Sequence, residues 1–222
     1  LTPQTVDTPH ESIRVGEVVL ISDGAGTAVR GPVTVSDKTG LTISVSEVLR
    51  EPPRPVRYVA VQALAKGDRA ELAVETLTEL GVDEIIPWQA DRSVVRWAPD
   101  RVERGLTRWR ATAREAAKQS RRLRVPTVSL PTTTAELVQR IEQTQLTLVL
   151  HEDAEQFLAA TPVPASGEVM FIVGPEGGLT DDEVAEFVAA GGKSVLVSDA
   201  VLRTSSAGVV ALAQLQALAA RG

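Results

Sequence analysis

Three short segments combine backbone freedom with side chains able to do chemistry. They are Leu150-His151-Glu152, Gly174-Pro175-Glu176-Gly177-Gly178, and the run from Ser198 to Ala207. Glycines in the second let the chain approach a ligand closely and present its N–H and C=O groups. It has neither the Gly-Lys-Ser/Thr ending of a P-loop nor the Gly-x-Gly-x-x-Gly spacing of a dinucleotide site. A tight strand-to-helix turn explains it equally well. In the third, Val201-Leu-Arg-Thr-Ser-Ser-Ala207 sets one arginine between apolar residues and a row of hydroxyls. A helix cap followed by a solvated Arg203 is the plainer reading of that segment alone.

A fourth feature is electrostatic. Between Arg101 and Arg124 stand nine basic residues and two acids, Glu103 and Glu115. The segment carries +7, so the remainder holds −13 of the net −6. A concentrated basic stripe on an acidic body suits phosphate contacts better than its overall charge suggests. A solvated helix face is the usual fate of such runs, although solvated faces normally mix signs. Other chemistry is excluded. There is no cysteine, so no disulfide, thiolate metal site or cysteine nucleophile. Two histidines, His10 and His151, leave little for a zinc site or a histidine-centred triad.

The elements that would position these segments follow from periodicity. Hydrophobic residues at 43% and charged residues at 23% fit a folded globule of one large domain plus an appendage. The most apolar stretch, Ala207 to Ala220, is too short to span a bilayer. No signal peptide is visible at the N-terminus, and a cytoplasmic protein is expected. Lacking an initiating Met, the chain is expected to be processed, cropped or missing residues.

Residues 1–52 read as a small β domain. Strands are predicted over Ile13–Ile21, Thr27–Val35 and Leu41–Ser46, the last with Leu41, Ile43 and Val45 on one face. Glu51-Pro52-Pro53-Arg54-Pro55 is a linker. From residue 56 strands and helices alternate, which predicts an α/β domain over 56–222 with a mostly parallel sheet and ligands at the carboxyl ends of its strands. Predicted strands cover Val56–Val61, Val82–Trp88, Leu146–Leu150, Glu168–Val173 and Ser194–Val197, the last three each followed by a helix. Asp68 and Glu71 suggest a capping box for a helix stopping at Gly81, as do Thr180 and Glu183 for a later one. Residues 101–124 form one amphipathic helix ended by Pro126. Thr204 or Ser205 caps the final helix, which is apolar on nearly every side and so must be buried, internally or against another subunit.

Taken together, the motifs resemble the RsmE-type 16S rRNA uridine-N3 methyltransferases of the SPOUT superfamily. The resemblance rests on Phe171-Ile-Val-Gly-Pro-Glu-Gly-Gly-Leu-Thr180 and Val201-Leu-Arg-Thr-Ser-Ser-Ala207. Upstream, Gln62-Ala-Leu-Ala-Lys-Gly-Asp68, Glu79-Leu-Gly-Val82 and Arg108-Trp109 through Glu115-Ala-Ala-Lys-Gln-Ser-Arg121 follow in the same order. It departs at Thr76, where lysine is expected, and in an N-terminal unit that reads as short of a strand.

The resemblance implies a trefoil-knotted C-terminal α/β domain, a PUA-like N-terminal β-barrel that binds RNA, and a homodimer. It implies S-adenosylmethionine as the cofactor and 16S rRNA, in an assembled or assembling small ribosomal subunit, as the partner. No metal is needed. Carried over, the cofactor loops are Leu150, His151 and Glu152; Val173, Gly174, Pro175, Glu176, Gly177 and Gly178; and Leu196, Val197, Ser198, Val201, Leu202, Arg203, Thr204, Ser205 and Ala207. Arg203 is the first choice for catalysis, stabilising charge on the uracil oxygens as N3 loses its proton. Glu176 and His151 are the candidate proton acceptors; a helix N-terminal anion and a hydrogen-bonded loop histidine are their plain alternatives. RNA contacts are expected from Arg110, Arg114, Lys118, Arg121 and Arg122, with Lys66, Arg69 and Arg92. A ribose 2′-O-methyltransferase of the same superfamily and a non-catalytic RNA-binding module are the rival functions.

Overall fold

The computed structural model describes residues 5–6, 13–38 and 40–220. His10 lies outside them. The chain divides into two compact units, Leu1–Pro53 and Arg54–Gly222.

In the first unit five strands pair antiparallel: β1 (Thr5–Val6), β2 (Val18–Ser22), β3 (Thr27–Asp37), β4 (Gly40–Ile43) and β5 (Glu47–Arg50). The long β3 pairs with β2, β4 and β5, and its register with β4 shifts between Val33 and Val35. The bulge bends one strand so that it serves two sets of neighbours. Val33, Leu41 and Ile43 form a small buried core. The sequence placed strands from Ile13 and through Ser46. Instead Ile13–Glu17 stays outside β2, and Ser44–Ser46 only connect β4 to β5. Ser44 and Ser46 there donate backbone N–H groups to Pro32 and Arg30. Thr5–Val6 and Glu47–Arg50 are strands the alternation did not reveal.

The second unit holds a six-stranded, wholly parallel sheet in the order β11-β9-β10-β6-β7-β8. Its strands are β6 (Val56–Ala63), β7 (Glu84–Trp88), β8 (Thr127–Val128), β9 (Leu146–Leu150), β10 (Gly167–Val173) and β11 (Lys193–Val195). Helices α1 (Arg69–Leu80), α2 (Val102–Gln119) and α5 (Thr204–Ala219) cover one face; α3 (Thr134–Gln143) and α4 (Asp181–Ala189) cover the other. Alternate strand residues serve the two layers. Tyr58, Ala60 and Phe171 pack with α1, α2 and α5, whereas Val59, Val61, Met170 and Ile172 pack with α3 and α4. Burial on both faces is why these strands read as unbroken apolar runs. The strand order reverses between β10 and β6, and ligand crevices of such sheets open at the carboxyl ends of the strands.

Several helix ends differ from expectation. α2 stops at Gln119, well before Pro126. Arg121 turns left-handed at φ 56°, and the Arg121 and Arg122 N–H groups close on Lys118 and Ala117. Asp68 precedes α1 without a side-chain cap, because Glu71 is drawn to Arg108 at 2.7 Å. The Thr180–Glu183 capping box does form. A second one, Thr133–Glu136, starts α3, an element absent from the sequence reading. No α-helix follows β9; only a short 3-10 turn, Leu158–Ala160, stands there. α5 is not wholly enclosed: Ala213 and Ala217 are exposed, and Val209, Val210 and Leu218 half-buried.

Candidate cofactor and RNA sites

The three loops singled out in the sequence meet at the carboxyl ends of β9, β10 and β11. Leu150, His151 and Glu152, then Val173, Gly174, Pro175 and Gly178, then Leu196, Val197, Ser198, Val201, Leu202, Thr204 and Ala207 line one cavity. Backbone bonds hold them in register. His151 N–H donates to Val195 O, while Leu158 N–H donates to Leu196 O and Leu196 N–H to Gln156 O. At the floor, Thr204 Oγ1 donates to Gly174 O at 2.7 Å and accepts from Gln62 Nε2 at 3.1 Å. Thr204 is the first residue of α5 and its hydroxyl is engaged elsewhere; the N-cap position falls to Arg203, with no side-chain cap bond.

The cavity wall is apolar through Leu150, Leu179, Leu196, Val197, Val201 and Leu202, and its rim carries the carboxylates of Glu152, Asp153 and Asp181. Apolar side chains suit an adenine ring, and carboxylates suit ribose hydroxyls and a cationic sulfonium or ammonium group. The donor set therefore fits S-adenosylmethionine. The space, about 170 Å³, is below the ~300–1,000 Å³ of pockets that enclose a drug-sized ligand. The Ser198–Leu202 segment forms part of its wall. That segment lies outside every helix and strand, and Val201 in it is 79% exposed.

Four residues expected at the cofactor do not line this cavity: Glu176, Gly177, Arg203 and Ser205. Ser205 is buried. Arg203 is exposed, its carbonyl accepts from the Ser206 and Ala207 N–H groups, and its side chain makes no hydrogen bond or ion pair among the described residues; it stands between Leu202 and Thr204, which do line the cavity. Glu176 faces the opposite way. Its Oε1 accepts from the Lys66 N–H at 3.0 Å and lies 3.6 Å from Arg69 Nη1, in a separate cleft. His151 lines the cavity, and its Nδ1 accepts from the Asp153 N–H at 3.2 Å.

Arg92, expected on RNA, braces the glycine loop. Its Nη1 donates to Leu179 O at 2.9 Å and to Gly177 O at 3.3 Å, and it lines the cavity. A Cβ on Gly177 would stand 3.1 Å from the Arg92 Cβ, so Gly177 answers to the close approach of Arg92, whereas Gly178, at φ 72°, answers to the turn itself. Beneath them the buried Glu183 carboxylate accepts from Thr180 N–H and from Asp91 N–H at 2.8 Å. Asp91 and Arg92 thus hold both ends of the loop. Composition alone could not have found this, because the two segments are over eighty residues apart.

Along α2, Arg110, Arg114 and Lys118 are exposed while Leu106, Trp109, Ala113 and Ala116 are buried, and Arg121 is exposed just past the helix end. Glu103 and Glu115 are spent on Arg110 and Lys118 at 3.7 Å each, at exposed positions where such pairs are weak. Arg122 is turned inward, donating to Glu79 O. No group of His, Asp and Glu among the described residues could hold a metal ion, and none of their helices is long and apolar enough to cross a membrane.

Residues 52–216 match the RNA methyltransferase domain family. The chain belongs to the RNA methyltransferases. Among this family's members, the ribosomal RNA small subunit methyltransferase E of Mycobacterium bovis is 41% identical over 94% of this chain and 81% of its own. Its counterpart from Bacillus subtilis is 32% identical over 72% of this chain and 66% of its own. The crystal structure of a small subunit methyltransferase E from Neisseria gonorrhoeae, bound to S-adenosyl methionine, superposes with a TM-score of 0.85. It shares 28% identity, and the match covers 97% of this chain and 92% of that one. The family's α/β architecture with a parallel sheet is therefore shared at the level of the whole chain.

Proposed function

We propose that this RNA methyltransferase transfers a methyl group from S-adenosylmethionine to N3 of one uridine in 16S rRNA, within an assembled or assembling small subunit. The observation that carries the reading is the meeting of three separate loops on one cavity at the strand ends, with Arg203 exposed beside it. The names of the Mycobacterium and Bacillus relatives support an rRNA substrate, and the Neisseria structure supports the cofactor.

When bound, the cofactor supplies an electrophilic methyl on a sulfonium. The chain's own residues then have three tasks. The loops position the two reactants for in-line displacement, which is most of the work in such a transfer. N3 of uracil must lose its proton to become nucleophilic, and the Arg203 guanidinium stabilises the charge that spreads onto O2 and O4. The proton passes to Glu176 or His151 and on to solvent, as N3–C forms and the C–S electrons return to sulfur. The exposed Arg110, Arg114, Lys118 and Arg121 would neutralise phosphates, joined by Lys66 and Arg69.

The wider architecture belongs to the same proposal. The return of Thr204 to Gly174 and of Leu196 to Gln156 and Leu158 supports a C-terminal trefoil knot. The half-covered face of α5 supports a homodimer. The five-stranded first unit serves as a PUA-like RNA-binding domain, and the protein works in the cytoplasm. Nucleoside mass spectrometry on small-subunit rRNA from cells with and without this protein tests the reading. One 3-methyluridine should disappear with the protein; an unchanged nucleoside profile removes the assignment.

A further inference from the structure

Arg92 is the only lysine or arginine among the described residues that line the cofactor cavity. The other charged groups of that lining are the carboxylates of Glu152, Asp153 and Asp181. Both bonds from Arg92 to the glycine loop leave from Nη1, to Gly177 O at 3.3 Å and to Leu179 O at 2.9 Å. A guanidinium carries five N–H donors in a planar fork. Nε and Nη2 make no hydrogen bond among the described residues. Bracing the loop therefore leaves one edge of the fork unspent at the cavity wall.

S-adenosylmethionine brings charges of both signs to such a wall. Its sulfonium and α-ammonium are cations, and the lining carboxylates answer them. Its α-carboxylate is an anion, which three acids repel unless a cation is set among them. Arg203, the arginine of the last loop, does not line the cavity. Asp181 stands two residues after Leu179, whose carbonyl Arg92 holds. A cation and an anion are thus both placed at the same end of the glycine loop. The ammonium and carboxylate of an amino acid are the complement of that pair, and a guanidinium fork matches a carboxylate.

We infer that Arg92 holds the α-carboxylate of the bound cofactor with the N–H groups that the glycine loop does not use. The inference rests on S-adenosylmethionine as the cofactor and deepens that reading by assigning its amino-acid end. It gives Arg92 to the cofactor rather than to RNA. One side chain then joins the shape of the loop to recognition of the ligand inside it.

Calorimetry with three ligands isolates the contact: S-adenosylmethionine, its decarboxylated form, and 5′-methylthioadenosine, which lacks the amino-acid end. The acidic lining favours the decarboxylated form, which carries one more positive charge. Tighter binding of the intact cofactor therefore requires a cation at its carboxylate. The wild type should bind the intact cofactor on the order of 10–100-fold more tightly than the decarboxylated form, the scale of one hydrogen-bonded charge pair. Arg92→Gln removes the charge and keeps an amide donor for the loop; the ratio should fall to one or below. Arg92→Lys should keep part of it. Loss of bracing weakens all three ligands by a common factor, which methylthioadenosine reads and the ratio cancels. A wild type that binds the decarboxylated form equally well overturns the inference, and this comparison decides alone if the glutamine variant does not fold. A glutamine variant that keeps the wild-type ratio also overturns it, leaving Arg92 as a brace of the loop. If the wild type binds none of the three ligands, the cofactor reading itself fails.

Discussion

The Thr204 hydroxyl donates to the Gly174 carbonyl at 2.7 Å and so ties the first turn of α5 to the start of the glycine loop. The same oxygen accepts from Gln62 at the end of β6, at 3.1 Å. Thr204 and Gln62 are both buried. Three segments that line or support the cavity are thus joined at one side chain.

Thr204→Val keeps the shape and removes both bonds. Leaving buried partners unsatisfied costs about 1–3 kcal/mol. Thermal melting should fall, and calorimetry should show weaker S-adenosylmethionine binding because Gly174 is no longer fixed. Lower stability with unchanged cofactor affinity would separate Thr204 from the site.

The Arg203 side chain is exposed and makes no hydrogen bond or ion pair among the described residues, and Ala keeps the carbonyl that receives the first N–H groups of α5, so Arg203→Ala should melt like the wild type. Single-turnover methyl transfer should slow on the order of 100–1,000-fold, as when one electrostatic donor is lost. Arg203→Lys should recover only part of it, since an ammonium lacks the planar fork. Raising the pH should narrow the gap, because more uracil then ionises unaided. A near-normal rate in the alanine variant returns catalysis to Glu176 or His151.

Changing Arg114, Lys118 and Arg121 together to Ala removes two exposed cations from the face of α2 and a third just past its end. RNA affinity should fall and its salt dependence flatten, with the slope losing about 0.7–0.9 per phosphate contact removed. Cofactor affinity should stay the same. An unchanged slope makes that face merely solvated.

At the other end of the sheet, Glu84 at the start of β7 is buried among Arg57, Arg140 and Ser129. Burial alone would raise its carboxyl. Hydrogen bonds from Ser129 and Arg57, with the charges of Arg140 and Arg57, outweigh burial and hold it below the usual carboxylate range. A depressed folded-state value adds stability that is present above the unfolded value, about 4.3, and lost as pH falls through the folded one. Glu84→Gln should lower stability near neutrality by roughly 1–3 kcal/mol and shrink its loss in acid. The cluster lies away from the strand ends that form the cavity, so cofactor affinity should be unaffected. Melting curves from pH 3 to 7, taken with the same variant's calorimetry, check both points.

The sheet was legible because its strands are buried on both faces, so Val56–Val61 and Glu168–Val173 read as continuous apolar runs. The glycine loop was legible because turn chemistry is local. What escaped was set by tertiary partners. Thr204 has the composition of a cap yet serves Gly174, thirty residues back. Asp68 and Glu71 have capping-box spacing, but Arg108 takes the glutamate. Glu176 sits in the cofactor motif and points out of it, because the Lys66 N–H and Arg69 hold its carboxylate on the far side. Side-chain direction at a turn depends on what stands across from it, and spacing does not encode that.

The central claim is methyl transfer to uridine N3. The purified protein should be incubated with isotopically labelled S-adenosylmethionine and small ribosomal subunits lacking the modification, and the rRNA digested to nucleosides for mass spectrometry. The account predicts label in 3-methyluridine alone, at one position. Label in a 2′-O-methyl nucleoside, or none despite bound cofactor, would contradict it.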